Sequence, residues 1–364
     1  MTPRYLMVGG FLGAGKTTAL LQLAQHYRTL GQRVGLITND QSTGLVDTAL
    51  LSHHGFPVEE ITGGCFCCRF NTLTEAAAKL TEANMPDLFL AEPVGSCTDL
   101  AATVSYPLRR LYGDNFTVAP YTVLIDPTRA ERILGLNAGK SFSPQVVYIY
   151  RKQLEEADII GINKIDTLTE DRLERLMEAV RTSFPKSNII TLSARTGDGI
   201  QAWAELLDAA PQDTRATMDL DYGTYADGEA LLGWINLTAL VEGDEFDGNE
   251  YLVSMFNEIQ QVLQHSGIEI AHLKATLAPD DGADLAIANL TRGDGSVELS
   301  HSLDGGFCSG ELIVNLRAEG DPDVIASLLR DMLSRDSGVR VSIGHLEAFR
   351  PGKPMPTHRD VVMK

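Results

Sequence analysis

"GGFLGAGKTT", Gly9 to Thr18, decides how the first half of this chain folds. Gly10, four residues, then Gly15-Lys16-Thr17 form the complete phosphate-loop pattern. Such a loop needs a strand before it and a helix after it. Glycines let successive backbone N–H groups turn inward around phosphate oxygens, and the helix N-terminus adds its positive dipole. The flanks comply: Tyr5–Val8 is a short apolar run, and Lys16–Leu30 spaces its apolar residues near 3.6. A nucleoside triphosphate site is expected, with Gly10, Gly13, Gly15 and Thr18 around the phosphates. Lys16 reaches the β- and γ-phosphates, and the Thr17 hydroxyl ligates Mg²⁺. A chance glycine turn is the bland alternative, and it has to explain both the pattern and its context.

Working outward, strand-like runs alternate with helical patterns, as successive βα units do. Val34–Thr38 is a strand and Thr72–Asn84 a helix. "DLFLAEPVG", "YTVLID" and "ADIIGINKID" are apolar runs that end in polar residues. That is the form of strands buried on both faces of a parallel sheet, with functional groups at their carboxyl ends. Asp171–Phe184 reads as a helix, Asn188–Leu192 as a strand and Gly199–Leu207 as a helix. The stretch "AAPQDTRATMDLDYGTYADG" then loses all periodicity and reads as a linker.

Beyond it strands outnumber helices. Ala230–Val241, Glu269–Leu277, Leu285–Leu290, Glu311–Leu316 and Val339–Phe349 are strands, with helices at Asn249–His265 and Asp321–Arg335. This predicts a β-α-β-β-α-β unit with a largely antiparallel sheet and an added strand at Ser296–Leu303. The expected fold class is α/β: a P-loop domain with a mainly parallel sheet over residues 1–212, plus a smaller acidic α+β C-terminal domain over 213–364.

The base is read from "NKID", Asn163 to Asp166, which follows the strand Asp158–Ile162. The Asp166 carboxylate can accept hydrogen bonds from guanine N1–H and the exocyclic amine. Adenine offers no such pair of donors, so it would leave the carboxylate unpaired at a cost. The stem of Lys164 can cover the base, and Asn163 can tie this loop to the phosphate loop. In "SARTGDG" the Ser193-Ala194 backbone would sit beside guanine O6. GTP and GDP are therefore preferred over ATP and ADP, and the first unit is a P-loop G domain. For the second Mg²⁺ contact the strand ends offer Glu92 and Asp40. Asp126, ending "YTVLID", is a third candidate that could equally cap the next turn.

"GGCFCC" places Cys65, Cys67 and Cys68 together, three of the chain's five cysteines. An odd count in a chain without a secretory start argues against a disulfide framework and favours metal ligation or redox chemistry. The three are too close for a conventional zinc knuckle but can offer one three-sulfur face. A fourth position is then left for water, Glu60 or a partner's ligand, so the site could give its metal away. Soft thiolates favour Zn²⁺ or Cu(I), with Co²⁺ and Ni²⁺ also possible. A switchable disulfide and plain core packing are the competing readings. Cys97 is either an extra ligand or a core residue. Cys308, His272, His301 and His345 read more readily as isolated side chains than as a second site.

Together "GGFLGAGKTT", Asn39-Asp40 with Asp47 downstream, Glu60 before "GGCFCC", "EPVG" and "ADIIGINKID" resemble the CobW-like metallochaperone GTPases. These are SIMIBI-class relatives of the nickel-inserting GTPases, and the resemblance covers about residues 4–208. It implies GTP hydrolysis and metal handling coupled to nucleotide state. Carried over, Lys16 and Thr17 serve the phosphates and Mg²⁺, Glu92 takes the Walker B role, and Asn163 to Asp166 read guanine. Cys65, Cys67 and Cys68 hold the delivered metal. Asp40 is the candidate for positioning the attacking water.

Charge bounds the partners. Of the net −19, residues 201–364 hold 28 acidic and 11 basic side chains, against 21 and 19 in residues 1–200. An acidic second half argues against nucleic acid or an anionic membrane as partner. It would suit a basic client metalloprotein surface, or simply solubility. No apolar run approaches a membrane span, and the start lacks the features of an export signal, so a cytoplasmic protein is expected. A homodimer across the nucleotide face is implied by analogy. "FRPGKPMPTHR", with three prolines, is either an extended docking segment or a disordered end. The function expected is a metallochaperone GTPase. The alternative is a nucleotide-dependent assembly factor for a cofactor-containing enzyme, whose metal is regulatory and never transferred.

Overall fold

β1 (Arg4–Gly10) is apolar along almost its whole length, so it belongs in the middle of a sheet covered on both faces. The computed structural model describes residues 2–40, 46–209, 215–280, 282, 284–335 and 338–363. Residues 41–45, residues 210–214 of the expected linker and the side chain of Asp47 lie outside the described residues. The chain divides into two compact units, residues 1–43, 47–226 and 354–364 in one and residues 44–46 and 227–353 in the other.

In the first unit β1 leads through the phosphate loop into α1 (Lys16–Thr29), then β2 (Val34–Asn39), α2 (Val46–His53) and β3 (Val58–Ile61). α3 (Phe70–Asn84) and β4 (Leu88–Glu92) follow, then a π-helical turn Ala101–Ser105 that runs into α4 (Tyr106–Tyr112). β5 (Thr117–Val118), β6 (Thr122–Ile125), α5 (Pro127–Ile133), α6 (Pro144–Glu156) and β7 (Ile159–Ile162) come next. α7 (Glu170–Ser183), β8 (Asn188–Thr191) and α8 (Ile200–Ala209) complete this run. The sheet is parallel, with the order β3-β2-β4-β1-β6-β7-β8 and β5 paired to β1. β1 lies between β4 and β6, so the chain reverses its direction of travel across the sheet there. In such sheets the crevice at that reversal is where ligands bind.

The core explains why these elements stay put. Leu20, Leu23 and Ala24 of α1 and Trp203 and Leu207 of α8 are buried against Leu6, Val8 and Leu124 of the sheet. The Trp203 indole N–H donates to the buried Thr122 hydroxyl at 3.0 Å, which fixes α8 over β6.

α9 (Tyr222–Ala230) begins where the linker was expected. Its Tyr222 hydroxyl donates to Asp99 at 2.7 Å, and the Thr98 N–H donates to the Tyr225 hydroxyl at 3.4 Å. Those tyrosines keep residues up to 226 with the first unit, so the division falls fourteen residues beyond the 212/213 boundary expected from composition. Residues 354–364 also rejoin the first unit.

The second unit runs β9 (Leu232–Asp247), α10 (Gly248–His265), β10 (Glu269–Pro279), β11 (Ala286–Leu290), β12 (Glu298–His301), β13 (Gly306–Glu319), α11 (Pro322–Leu333) and β14 (Val339–Phe349). Its antiparallel sheet has the order β12-β11-β10-β13-β9-β14. Removing β11 and β12 leaves β14-β9-β13-β10, the order of a split βαβ unit. β11 and β12, expected as strands at 285–290 and 296–303, extend the β10 edge. Asp247 and Asp321 cap the two helices through their carboxylates, which is why each helix starts where it does.

Candidate nucleotide and metal site

At the phosphate loop Gly10, Gly13 and Gly15 have φ of 135°, 79° and 84°. At Gly15 a side chain would also strike the Asn163 amide, whose nitrogen lies 2.5 Å from an ideal Cβ. Gly15 is the N-cap of α1 and offers no capping side chain, and a helix N-terminus of this kind attracts an anion. Lys16 and Thr17 are buried at its first turn. The Thr17 hydroxyl donates to Glu92 Oε1 at 3.2 Å, and Lys16 Nζ stands 3.7 Å from the same oxygen. β4 delivers Glu92 there because β1 and β4 pair directly. The Thr17 hydroxyl and the Glu92 carboxylate are oxygen donors of the kind that Mg²⁺ takes, and the Lys16 ammonium is a positive charge of the kind that phosphate oxygens attract.

The loop is clamped from the other side. Asn163 Nδ2 donates to Ala14 O at 2.9 Å, while its Oδ1 accepts from Ala194 N at 3.0 Å and Lys164 N at 2.8 Å. Lys164 takes a left-handed φ of 59° and sends Nζ to Gly13 O and Asp126 Oδ2, each at 2.9 Å. Asp166 Oδ1 accepts from the Ser193 hydroxyl at 2.6 Å, and Arg195 stands 3.5 Å from its other oxygen. The structure thus gathers Asn163, Lys164, Asp166, Ser193 and Ala194 into one corner beside the phosphate loop. The Ala194 N–H, expected beside guanine O6, is held by Asn163 here.

Asp126 caps α5, accepting from Arg129 N at 3.0 Å. Burial raises its pKa, but Lys164 and Arg129 outweigh that and hold the carboxyl down at about 2. The geometry displays its capping role. Arg129 itself was not legible in the sequence. It is buried, donates to Leu12 O and lies across the Phe11 and Phe142 rings, bracing the phosphate loop from behind.

Asp40 follows β2, where its N–H donates to Ile61 O at 3.1 Å. The neighbouring Asn39 organises the thiol loop. Its side-chain amide donates to Ile61 O at 3.0 Å and Gly64 O at 2.8 Å, and its Oδ1 accepts from Phe66 N at 2.9 Å. Gly63 and Gly64, at φ 72° and 150°, make the bend that only glycine takes easily. Cys68 N and Arg69 N then both donate to Cys65 O, which turns the chain into α3.

That turn brings the sulfurs together. Cys65 Sγ lies 2.9 Å from Cys67 Sγ and 3.2 Å from Cys68 Sγ, and the remaining pair are 3.7 Å apart. Around a tetrahedral Zn²⁺ with bonds of about 2.3 Å, sulfurs stand about 3.8 Å apart. Outward movements of under an ångström would therefore seat an ion. Cys65 and Cys67 are buried and Cys68 is partly exposed. Hydrogen bonds from the Cys67, Cys68 and Cys97 thiols pull Cys65 well below the ordinary thiol range. The bond to Cys65 conversely lifts Cys67 well above it and pushes Cys68 up to about 11. One thiol is lowered and its neighbours are raised because a second thiolate would sit beside the first.

The sequence offered Glu60, beside water or a partner's ligand, for the fourth position, and Glu60 lies outside the compact group. Among the described residues the group of ligand atoms within 4.8 Å of one another at this loop is Cys65, Cys67 and Cys68. Glu60 lies on β3. Cys97 is buried, and its thiol reaches Cys65 without joining that compact group. In the second unit His301 Nε2 lies 2.7 Å from Asp284 Oδ1, while Cys308 is an exposed thiol on β13. Among the described residues no helix is long and apolar enough to cross a membrane.

A phosphate loop after β1, a carboxylate at the end of the neighbouring strand and an Asn-Lys-x-Asp corner define a P-loop nucleotide-binding domain of the GTPase fold. The family model described as the CobW/HypB/UreG nucleotide-binding domain matches residues 4–191, just over half of the sequence. This chain belongs to that family. It is 32% identical over 174 residues to the zinc chaperone YeiR of Escherichia coli K12, covering 47% of this chain and 49% of that protein. It is 28% identical over 198 residues to the zinc chaperone CobW of a Sinorhizobium species, covering 49% and 55%. The chain therefore spans about half the length of these curated relatives. Its fold is like that of HypB from Helicobacter pylori, solved in complex with nickel. That likeness has TM-score 0.44 and 18% identity, over 59% of this chain and 92% of that one.

Proposed function

We propose that this protein is a GTP-hydrolysing metallochaperone that binds Zn²⁺ at Cys65, Cys67 and Cys68 and passes it to a client metalloprotein. The observation that carries the reading is Asn39. It holds the thiol loop by three hydrogen bonds and ends the strand in which Thr38 pairs with Glu92 of β4. Nucleotide and metal groups thus share one short stretch of backbone. Zinc is favoured over Co²⁺ and Ni²⁺ because three thiolates suit it and because the curated relatives are zinc chaperones.

In this reading Lys16 and the amides of the phosphate loop bind the β- and γ-phosphates, and Asp166 selects guanine. Mg²⁺, held by Thr17 and Glu92, supplies charge neutralisation on the phosphate oxygens when bound. Asp40 orients the water whose oxygen attacks the γ-phosphorus. The bond to the GDP oxygen breaks, and the water's protons end on inorganic phosphate and solvent. The movement of β2 and β4 that follows loosens the thiol loop. Three protein sulfurs leave one coordination position for a client's ligand, so transfer proceeds by ligand exchange. The acidic second unit suits a basic client surface.

The test is Zn²⁺ affinity of the metal-free protein with GDP and with a non-hydrolysable GTP analogue, using Cys67→Ala as control. The expected result is a tenfold or larger difference that vanishes in the variant, matched by an equal effect of Zn²⁺ on nucleotide affinity. Equal affinities in the two nucleotide states would remove the coupled mechanism.

A further inference from the structure

The prolines near residue 354 left two readings open, a docking segment or a disordered end. In the structure Met355 and Thr357 lie against the thiol loop. The Met355 N–H donates to Cys68 Sγ at 3.2 Å. The Thr357 N–H donates to Cys67 O at 2.8 Å, and its hydroxyl donates to Cys68 O at 3.2 Å. Pro354 and Pro356 flank Met355, and neither has an N–H, so that amide is the donor the local sequence offers. Met355 also sits at Cys68, the partly exposed cysteine of the trio.

The same segment is anchored elsewhere. The His358 ring stands edge-on to Phe70 at the start of α3, with centroids 5.0 Å apart. Arg359 Nε donates to Asp99 Oδ2 at 2.6 Å. Asp99 is almost fully buried on the loop that follows Glu92. The Asp360 N–H donates to Ala102 O at 2.9 Å, while Arg110 grips the Asp360 carboxylate through two nitrogens at 2.9 and 3.0 Å. The segment therefore bridges two loops, one carrying the thiols and the other following the nucleotide-site glutamate.

We infer that residues 354–360 are a working strap of the thiolate centre, holding Cys68 for metal binding and restraining release of the ion. The inference rests on the metal reading above. A peptide N–H bonded to a ligand sulfur orients it and spreads its charge, and outer partners of this kind are worth about 10–100-fold in metal affinity. A client that peels the strap away would remove the amide from Cys68 Sγ and so gain a loosened sulfur on the partly exposed side of the trio. Arg359 acts at a distance, through Asp99, and is a positioning residue.

The experiment compares the full chain with Arg359→Ala, Arg359→Lys and a deletion of residues 354–364. Zn²⁺ affinity is measured by competition with a chromophoric chelator, and release by mixing loaded protein with excess chelator. Co²⁺ loading reads the sulfur-to-metal charge-transfer band, and nucleotide binding reports that the first unit is folded. The expected result for Arg359→Ala and the deletion is about tenfold weaker Zn²⁺ binding, comparably faster release and a shifted Co²⁺ band, with Arg359→Lys recovering most of each. Affinity and release within twofold of the full chain in Arg359→Ala, with nucleotide binding intact, would overturn the strap, even where the deletion fails to fold. A full chain that takes up no Zn²⁺ in a Cys67-dependent way would instead overturn the metal reading on which the strap depends.

Discussion

At the scale of single residues the base-reading carboxylate gives the sharpest prediction. Asp166 has one oxygen on the Ser193 hydroxyl and the other facing Arg195, so its position is set before any base arrives. Replacing it with Asn turns one acceptor into a donor. Guanine would then set its exocyclic amine against an amide N–H, losing a charge-assisted bond and gaining a repulsion. Asp166→Asn should weaken GTP binding about 100-fold or more. Xanthine carries a carbonyl where guanine carries that amine, so XTP should become the better ligand. Competition titrations with GTP, XTP and ATP decide it: a variant that keeps its preference for GTP places the base elsewhere. Lys16, Thr17, Asp166 and the three cysteines were legible because each belongs to a spacing with its own chemistry. Arg129 and the clamp role of Asn39 were not. An asparagine becomes a clamp only when the carbonyls it holds, Ile61 and Gly64, fold back onto it. Local sequence carries no trace of that.

Among the elements, the end of α6 holds a half-buried acid that nothing in the proposed chemistry uses. Glu156 accepts from Ala101 N at 2.9 Å and the Thr98 hydroxyl at 3.2 Å, pinning the π-helical turn. Burial, with Asp99 adding to it, nevertheless lifts its pKa well above the usual carboxylate range. A raised carboxyl pKa means that the fold favours the protonated form. Its contribution to stability is complete below the unfolded pKa and is lost as pH rises through the folded one. Glu156→Gln keeps an acceptor for Ala101, and the Thr98 hydroxyl can turn to accept from the new amide. The variant should match the parent near pH 4. It should melt about 2–4 °C higher at pH 8, the shift that roughly 1 kcal/mol produces in a unit of this size. Equal melting temperatures across that range would mean that water or rearrangement already relieves the charge. The elements themselves were unequally legible. Buried parallel strands such as β4 and β7 declare themselves as apolar runs, and α1 and α7 by their 3.6 spacing. α4, α5 and the π-helical turn are too short for periodicity to register. β3 is only four residues, two of them glutamates, and reads as loop.

For the whole molecule, the division into units makes a claim about independence. Residues 227–353 form a continuous stretch with its own core. Phe256, Ile259 and Leu263 of α10 and Ile325 and Leu329 of α11 are buried with Leu237, Leu273, Val314 and Leu316 of the sheet. Composition pointed to the class of this unit because strand runs and capped helices are local signals. It misjudged where the unit ends, because only packing reveals that Tyr225 and the strap belong with the first unit. A core that closes on itself should fold alone. Residues 227–353 carry 22 acidic and 8 basic side chains, so self-repulsion opposes that fold at low salt. The fragment 227–353 should therefore unfold in one cooperative transition, coincident by far-ultraviolet circular dichroism and tryptophan fluorescence. Its melting temperature should rise by several degrees between 20 and 200 mM salt, over which the screening length falls from about 20 Å to below 10 Å. If the fragment melts without cooperativity at either salt, the first unit supplies part of its stability. If it folds but salt has no effect, its acidic groups are already spaced or paired well enough to leave little repulsion. The acidic surface would then be a weaker basis for attracting a basic client than the charge count alone implies.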